Sequence, residues 1–273
     1  MEAFLLACLV LAGCTTGSPP DGVDHKAVVW VNALAVSSPD YRVAYEEHLL
    51  SRLWREHGET VRVIVEPRWP RASSMDVFGR QDLEMQLSSD GSVSRPRLRP
   101  WKLTEAIEAL YNESDQARMT KESSALLEKM EPKENLRVTL VVGFKKPIKE
   151  EEVRQIWSPI PDVALLSPLR GDGEMPISWD YSGYCNARGF DDCNPDIRGS
   201  LTAGFRRWVG LLEPDDQGHL DSFGLDLSEL KERAAEGAWY GMIISGSPDS
   251  AEARALVKDP RISVVLVGQL ALG

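Results

Sequence analysis

The apolar residues of the N-terminal part form first a continuous run and then an alternating pattern. Residues 27–36 are rich in valine and almost wholly apolar, which predicts a buried strand. Ser38 fits a helix N-cap, and tyrosines and leucines at near-helical spacing predict a helix over residues 39–57. Valines at every second position in residues 61–65 predict another strand. We therefore expect a β-α-β unit in this region.

A polar stretch separates this unit from a long helical segment. Residues 88–100 are rich in Ser, Gly, Arg and Pro, which predicts a linker or an exposed edge. Residues 101–130 have a helical composition. Their polar portion, residues 112–122, predicts a break in the helix.

Two segments of the C-terminal half repeat one order of strand, turn, helix and strand. In the first segment these elements are expected at residues 138–144, 145–147, 148–157 and 163–166. In the second they are expected at residues 239–244, 245–248, 249–257 and 262–267. Each segment is a β-α-β unit, so we expect an internal structural pair.

Amphipathic helices are expected between the two repeated units. Apolar residues at helical spacing within residues 201–212 predict the first helix, and residues 226–236 predict a second one that ends at Gly237. The whole pattern predicts an α/β fold, with α+β as the alternative class, in which helices pack on mixed sheets in two lobes. The lobes are expected at residues 26–100 and 101–273.

Composition and motifs narrow the class of protein. The apolar share is 42% and the formal net charge is −11. An acidic chain is a poor partner for nucleic acid or for anionic lipid. The chain has no Walker loop, dinucleotide fingerprint or Gly-x-Ser-x-Gly motif, so we name no catalytic residue and no cofactor. Ser247 and Pro248 fit a helix start better than a phosphate cradle.

The N-terminus carries a short apolar run that ends at a cysteine. Residues 4–11 followed by Ala12, Gly13 and Cys14 resemble the lipobox of bacterial lipoproteins. The resemblance implies a signal peptide over residues 1–13 and a diacylglycerol on the thiol of Cys14. It also implies a bacterial envelope protein held on the extracytoplasmic face of a membrane by that lipid. Residues 14–25 are then expected to form a flexible tether. The alternative is a buried N-terminal strand or helix.

Two further cysteines, Cys185 and Cys193, lie close together in the sequence. In an oxidising compartment this spacing predicts a disulfide bond. The alternative is a metal site, but none of the four histidines lies near these cysteines in the sequence, and a zinc site would lack two ligands. We therefore name no metal ligand.

A candidate binding surface surrounds these cysteines. Trp179 and Tyr181 occupy a polar stretch where aromatic rings can stack on a sugar or a peptide. Asp191 and Asp192 add carboxylates nearby. A calcium site is the alternative for the acidic residues, but their spacing departs from the EF-hand pattern and favours a solvated loop.

Six segments of the C-terminal half occur in an order that points to a family. They are VVGFKKP (141–147), EEEV (150–153), ISWD (177–180), GF (189–190), WYGMIISGSP (239–248) and ISVVLVG (262–268). This order resembles the C-terminal domain of the bacterial sigma factor regulator family, over roughly residues 101–273. The resemblance implies an extracytoplasmic domain type.

Together with the lipobox, this resemblance predicts a non-enzymatic, lipid-anchored protein that binds a protein partner in the cell envelope. Its role would be envelope sensing or regulation. The alternative is a secreted hydrolase or a solute-binding lipoprotein whose site is dispersed along the chain.

Overall fold

A computed structural model describes most of the chain from His25 onward. The described residues are 25–43, 60–68, 80–94, 97–129, 136–158, 161–170, 174–180, 199–246 and 250–272. Within these ranges, no helix combines the length and the apolar character needed to cross a membrane.

The first element is a helix, α1 (His25–Val36), and the predicted strand at residues 27–36 is wrong. Nine of the twelve residues of α1 are buried, including Trp30 and Leu34. The helix contacts both sheets of the molecule, so it is enclosed on several sides. A short run that is apolar all round has no periodicity that distinguishes a buried strand from a buried helix.

A three-stranded antiparallel sheet follows, in the order β1-β2-β3. Its strands are β1 (Tyr41–Val43), β2 (Thr60–Pro67) and β3 (Gln81–Gln86). The strand predicted at residues 61–65 is confirmed. The helix predicted from residue 39 is wrong where it can be checked: β1 pairs with β2, and Arg42 forms an ion pair with Glu66 at 2.8 Å. Residues 44–57 of that prediction lie outside the described residues.

Two helices occupy the segment predicted to be helical. They are α2 (Lys102–Ala109) and α3 (Glu113–Lys129). The break predicted within residues 112–122 is present at the start of that range, between α2 and α3. There the side chain of Asn112 accepts a hydrogen bond from the backbone N–H of Ser114 at 3.1 Å and starts α3.

The second sheet has five strands in the order β6-β5-β7-β4-β8. They are β4 (Leu136–Lys149), β5 (Val163–Leu165), β6 (Ser178–Asp180), β7 (Ala238–Gly246) and β8 (Ile262–Leu272). Helix α4 (Glu150–Ile156) joins β4 to β5, and α8 (Ser250–Lys258) joins β7 to β8. Both repeated units are therefore present.

The two units are interleaved. Strand β7 lies between β4 and β5, and β4 lies between β7 and β8. This is the strand order of the split β-α-β arrangement, with β6 added at one edge. All described strand pairs are antiparallel, so the expectation of mixed sheets is wrong. The predicted α/β class, with α+β as its alternative, is confirmed.

The turn predicted at residues 145–147 is wrong. These residues belong to β4, which bulges between Gly143 and Ile148 and continues to Lys149. The backbone N–H of Lys145 donates to the carbonyl of Arg261 at 2.9 Å, which keeps this part of the strand attached to its neighbour. A bulge adds residues to one strand without ending the pairing.

Three helices lie between β6 and β7 in the chain. They are α5 (Leu201–Val209), α6 (Gln217–Asp221), which follows a 3-10 turn at Pro214–Asp216, and α7 (Leu227–Glu236). The predictions for residues 201–212 and 226–236 are confirmed. The side chain of Asp226 caps α7, and Gly237 ends it with φ +56°, a conformation that favours glycine.

Two apolar clusters cover the two faces of the five-stranded sheet. Helix α2 packs on one face through Leu103, Ala106 and Ile107, against residues such as Val141 and Leu266. The cluster on the other face joins α1, α4, α5, α7 and α8 to the three-stranded sheet. Side chains from both predicted lobes therefore share one core. Whether the lobes are separate folding units stays a prediction.

Candidate functional site

Most residues named from the sequence as candidate sites lie outside the described ranges. They are Cys14, Tyr181, Cys185, Asp191, Asp192, Cys193, Ser247 and Pro248. The lipidation, the disulfide bond, the acidic loop and the helix start therefore stay predictions.

Trp179 is described, and it belongs to the core rather than to an exposed stacking surface. It is 5% exposed. Its ring stacks on that of Trp208, with centroids 5.6 Å apart, and meets Phe205 edge-on at 5.7 Å. A Cβ on Gly204 would lie 2.7 Å from Trp179 Nε1, so the helix backbone presses directly on the ring. Trp179 is therefore corrected from a surface residue to a core residue.

A buried polar cluster lies at the end of the sheet where β7 and β8 finish. We call it the Arg68 cluster; its members are Asp40, Arg68, Asp162 and Asp180. The guanidinium of Arg68 pairs with the carboxylate of Asp180, and both side chains are less than one-tenth exposed. Arg68 Nε also donates to the carbonyl of Pro39 at 2.7 Å.

The other two carboxyl groups of the Arg68 cluster are held by neighbouring elements. Asp40 Oδ2 accepts a hydrogen bond from Thr104 Oγ1 on α2 at 2.7 Å. The carboxylate of Asp162 accepts one from the backbone N–H of Ser245 on β7. Burial raises the pKa of Asp162, although the Ser245 N–H and the charge of Arg68 oppose this effect.

The Arg68 cluster gathers titratable groups, and the cavity that the described residues form beside it is small. The adjoining cavity, which Asp40, Arg68 and Gln269 help to line, has a volume of about 10 Å³. That is about the space of one water molecule. The cluster therefore joins β1, β2, α2, β5, β6 and β7, and its geometry favours a structural role over catalysis.

A larger cavity opens beside it, between α2, α3 and the end of β8. Its volume is about 180 Å³. We call it the β8 groove. Its uncharged lining residues are Met119, Ser123, Leu126, Val267, Gly268, Gln269 and Leu270. Its charged lining residues are Lys102, Glu105, Arg118 and Glu122, and all four are exposed.

Helix α3 forms one wall of the β8 groove and also covers the edge of β8. Met119 packs in the cluster on one sheet face, and Leu127 belongs to the cluster on the other. Between them, Ser123 Oγ accepts a hydrogen bond from the backbone N–H of Val267 at 2.9 Å. The helix therefore passes around the edge strand, and the middle of the helix, residues 118–126, lines the groove.

The exposed apolar residue of the groove is Leu126, which is 38% exposed. Its neighbour Leu127 is 5% exposed. Leu127 packs in the core, whereas Leu126 lines the groove. In the sequence both leucines fit apolar positions of the helix, and no local signal distinguishes the one that lines the groove.

The size of the groove indicates what it can hold. Sites for drug-sized ligands usually measure about 300 to 1,000 Å³. A groove of about 180 Å³ is below that range and suits one or two side chains of a protein partner. A space of this size can also hold a small molecule, so the exposed Leu126, and not the volume, is what favours protein docking.

Two further buried carboxylates, Asp216 and Glu150, serve local structure. His25 Nε2 and Asp216 Oδ2 are 3.0 Å apart, which ties the start of α1 to the start of α6. Glu150 accepts hydrogen bonds from the backbone N–H groups of Leu201 and Thr202, and so caps α5. No group of three or more His, Cys, Asp or Glu side chains in the described part of the chain is placed to hold a metal ion.

Comparison of the chain with protein-family models, with curated proteins and with solved structures finds no match in any of the three.

Proposed function

We propose that this chain is a lipid-anchored protein of the bacterial cell envelope that acts without catalysis, by binding a protein partner on the extracytoplasmic side. The β8 groove is the observation that supports the partner-binding part of this proposal. It exposes Leu126 beside a sheet edge, and its volume is below that of sites for drug-sized ligands.

Two features of the sequence support the same proposal. The lipobox-like segment ending at Cys14 provides the attachment to the membrane. The order of segments that resembles the sigma factor regulator C-terminal domain favours a role in envelope sensing or regulation. The alternative, a hydrolase, needs a cleft that brings titratable groups to a substrate, and the Arg68 cluster adjoins a cavity of about 10 Å³.

The experiment is quantitative capture from detergent-solubilised membranes with the tagged full chain. Leu126→Lys places a charge in the groove, and Val257→Lys is the matched control because Val257 is 58% exposed on α8 and does not line the groove. We expect one protein to be retained by the wild type and by Val257→Lys, and lost with Leu126→Lys. Equal retention by all three chains, or turnover of a substrate that depends on Asp162, contradicts the proposal.

A further inference from the structure

The start of helix α1 is held against the region of helix α6 by a small group of ionisable side chains. His25 Nε2 lies 3.1 Å and 3.0 Å from the two carboxylate oxygens of Asp216. Asp216 is buried, and it also accepts a hydrogen bond from the backbone N–H of Glu213 at 2.7 Å. His219 lies three residues further along, on α6. We call His25, Asp216 and His219 the α1 latch.

The ring of His219 packs directly on α1. It meets the ring of Trp30 edge-on, with centroids 5.5 Å apart and the two planes inclined by 79°. Trp30 is fully buried. Nδ1 of His219 is buried as well, and no described residue offers it a hydrogen-bond partner. In this position the imidazole serves as a packing surface for α1.

Protonation of His219 conflicts with this packing. An imidazolium donates from both ring nitrogens, so Nδ1 would become a buried charged donor without an acceptor. Among the described residues, the ionisable groups that act on His219 are Asp216, Lys26 and His25. Burial, together with Lys26 and His25, outweighs the carboxylate of Asp216 and lowers the pKa of His219. The neutral ring is therefore the form that fits the folded structure.

The single carboxylate of the α1 latch is already engaged by His25. Both of its oxygens face His25 Nε2, and a positive charge on that ring strengthens the contact. A charge on His219 would add a second imidazolium beside the same carboxylate, with Lys26 close by on α1. The cations of the two helices then repel each other, and one carboxylate cannot compensate all of them.

We infer that the α1 latch is an acid-sensitive switch, in which charging of His219 loosens the first turn of α1 from α6. The consequence reaches both sheets, because α1 contacts β1 and β2 of the three-stranded sheet and β6 of the five-stranded sheet. Histidine is the side chain whose ordinary pKa places such a charge change near physiological pH. This inference is independent of the proposed function, since it concerns α1 and not the β8 groove.

The direction of the switch follows from the lowered pKa of His219. The unfolded or loosened chain binds this proton more tightly than the closed latch does. The latch is therefore closed above the ordinary value of 6.5, and it loosens as pH falls from 6.5 through the lowered pKa.

Hydrogen exchange at the amides of Val29 and Trp30 tests this inference in the full chain in detergent. Helical amides donate to the carbonyl four residues back, so these two report on the first turn of α1. Protection factors, which correct for the intrinsic effect of pH on exchange, should fall severalfold between about pH 7.5 and about pH 5. The amide of Leu230, which donates to the carbonyl of Asp226 at the start of α7, should keep its protection.

Two variants separate the two histidines. His219→Gln removes the titrating ring, so protection at Val29 and Trp30 should no longer depend on acid. His25→Gln keeps an amide donor for Asp216 and leaves His219 able to titrate, so the acid-dependent loss should persist. Equal loss in wild type and in His219→Gln overturns the inference. No loss in wild type, or a loss of the same size at Leu230, also overturns it.

A measurement on the wild type covers the case in which His219→Gln fails to fold. The ring signals of His219 in NMR spectra should titrate below 6.5, and the indole signals of Trp30 should move with them, because the two rings are in contact. Titration of His219 at or above 6.5, or indole signals that do not respond, overturns the inference.

Discussion

Burial of Asp162 contributes to the dependence of the fold's stability on pH. Its carboxyl group lies at the start of β5, where the Ser245 N–H donates to it. Burial raises its pKa, against the opposing effects of Ser245 and Arg68. The folded state therefore binds this proton more tightly than the unfolded chain does. As pH rises from the ordinary value of 3.8 through the raised pKa, Asp162 makes the fold less stable.

Replacing Asp162 with asparagine should remove this effect. The amide oxygen still accepts from Ser245 N–H, but the side chain no longer ionises. At neutral pH we expect Asp162→Asn to raise the free energy of unfolding, because burial in the folded state disfavours the ionised carboxylate that the amide replaces. Below about pH 4 the two proteins should become equally stable. Thermal unfolding across pH measures this, and a variant less stable than wild type at neutral pH would show that Arg68 needs the ionised carboxylate.

Asp216 affects the pH dependence of stability in the opposite direction, because its pKa is lowered. Burial acts to raise its pKa, but hydrogen bonds from His25 and from the Glu213 N–H outweigh burial, and the net pKa is lowered. Its contribution to stability is therefore present above 3.8 and is lost as pH falls through the lowered pKa. Asp216→Asn should accordingly destabilise the fold at neutral pH, and the difference from wild type should shrink in acid.

Single residues also show where sequence reasoning stops. The stretch around Trp179 looks polar in the sequence, yet its ring is enclosed by Phe205 and Trp208 from a helix more than twenty residues away. Asp180 is equally hidden, because Arg68 comes to it from the other sheet. Contacts between distant segments decide both cases, and no local pattern encodes them.

At the scale of elements, α3 is the helix that closes the edge of β8. Ser123→Ala leaves the buried Val267 N–H without its acceptor, which should cost about 1 to 3 kcal/mol. Ser124→Ala is the matched control, since Ser124 is exposed on the same helix. Hydrogen exchange at the Val267 amide should accelerate in Ser123→Ala and stay at the wild-type rate in Ser124→Ala. Equal exchange in both variants would show that α3 does not protect the edge.

Elements whose apolar residues recur at regular spacing were predicted well, and elements without such spacing were not. Helix α7 has an N-cap at Asp226 and a terminating glycine at Gly237, and both are visible in the sequence. Helix α1 has neither signal, and its valines favoured the wrong assignment. The repeated units were found through their order of elements, but the insertion of β7 between β4 and β5 depends on pairing across about a hundred residues.

At the scale of the whole molecule, the proposal requires attachment to a membrane through Cys14. Cys14→Ser should prevent lipidation, so the chain should leave the membrane fraction or accumulate with its first residues uncleaved. Cys8→Ser is the matched control, because that cysteine lies within the expected signal peptide. Fractionation combined with intact-mass analysis measures both effects. Identical location and mass for wild type and Cys14→Ser would refute the anchor.

We propose that the protein binds its partner through the β8 groove. The most direct measurement is photo-crosslinking in intact cells, with a photoreactive amino acid in place of Leu126 and, separately, in place of Val257. We expect a discrete adduct with one envelope protein from position 126 and none from position 257. The same adduct from both positions, or no adduct from position 126, would contradict it.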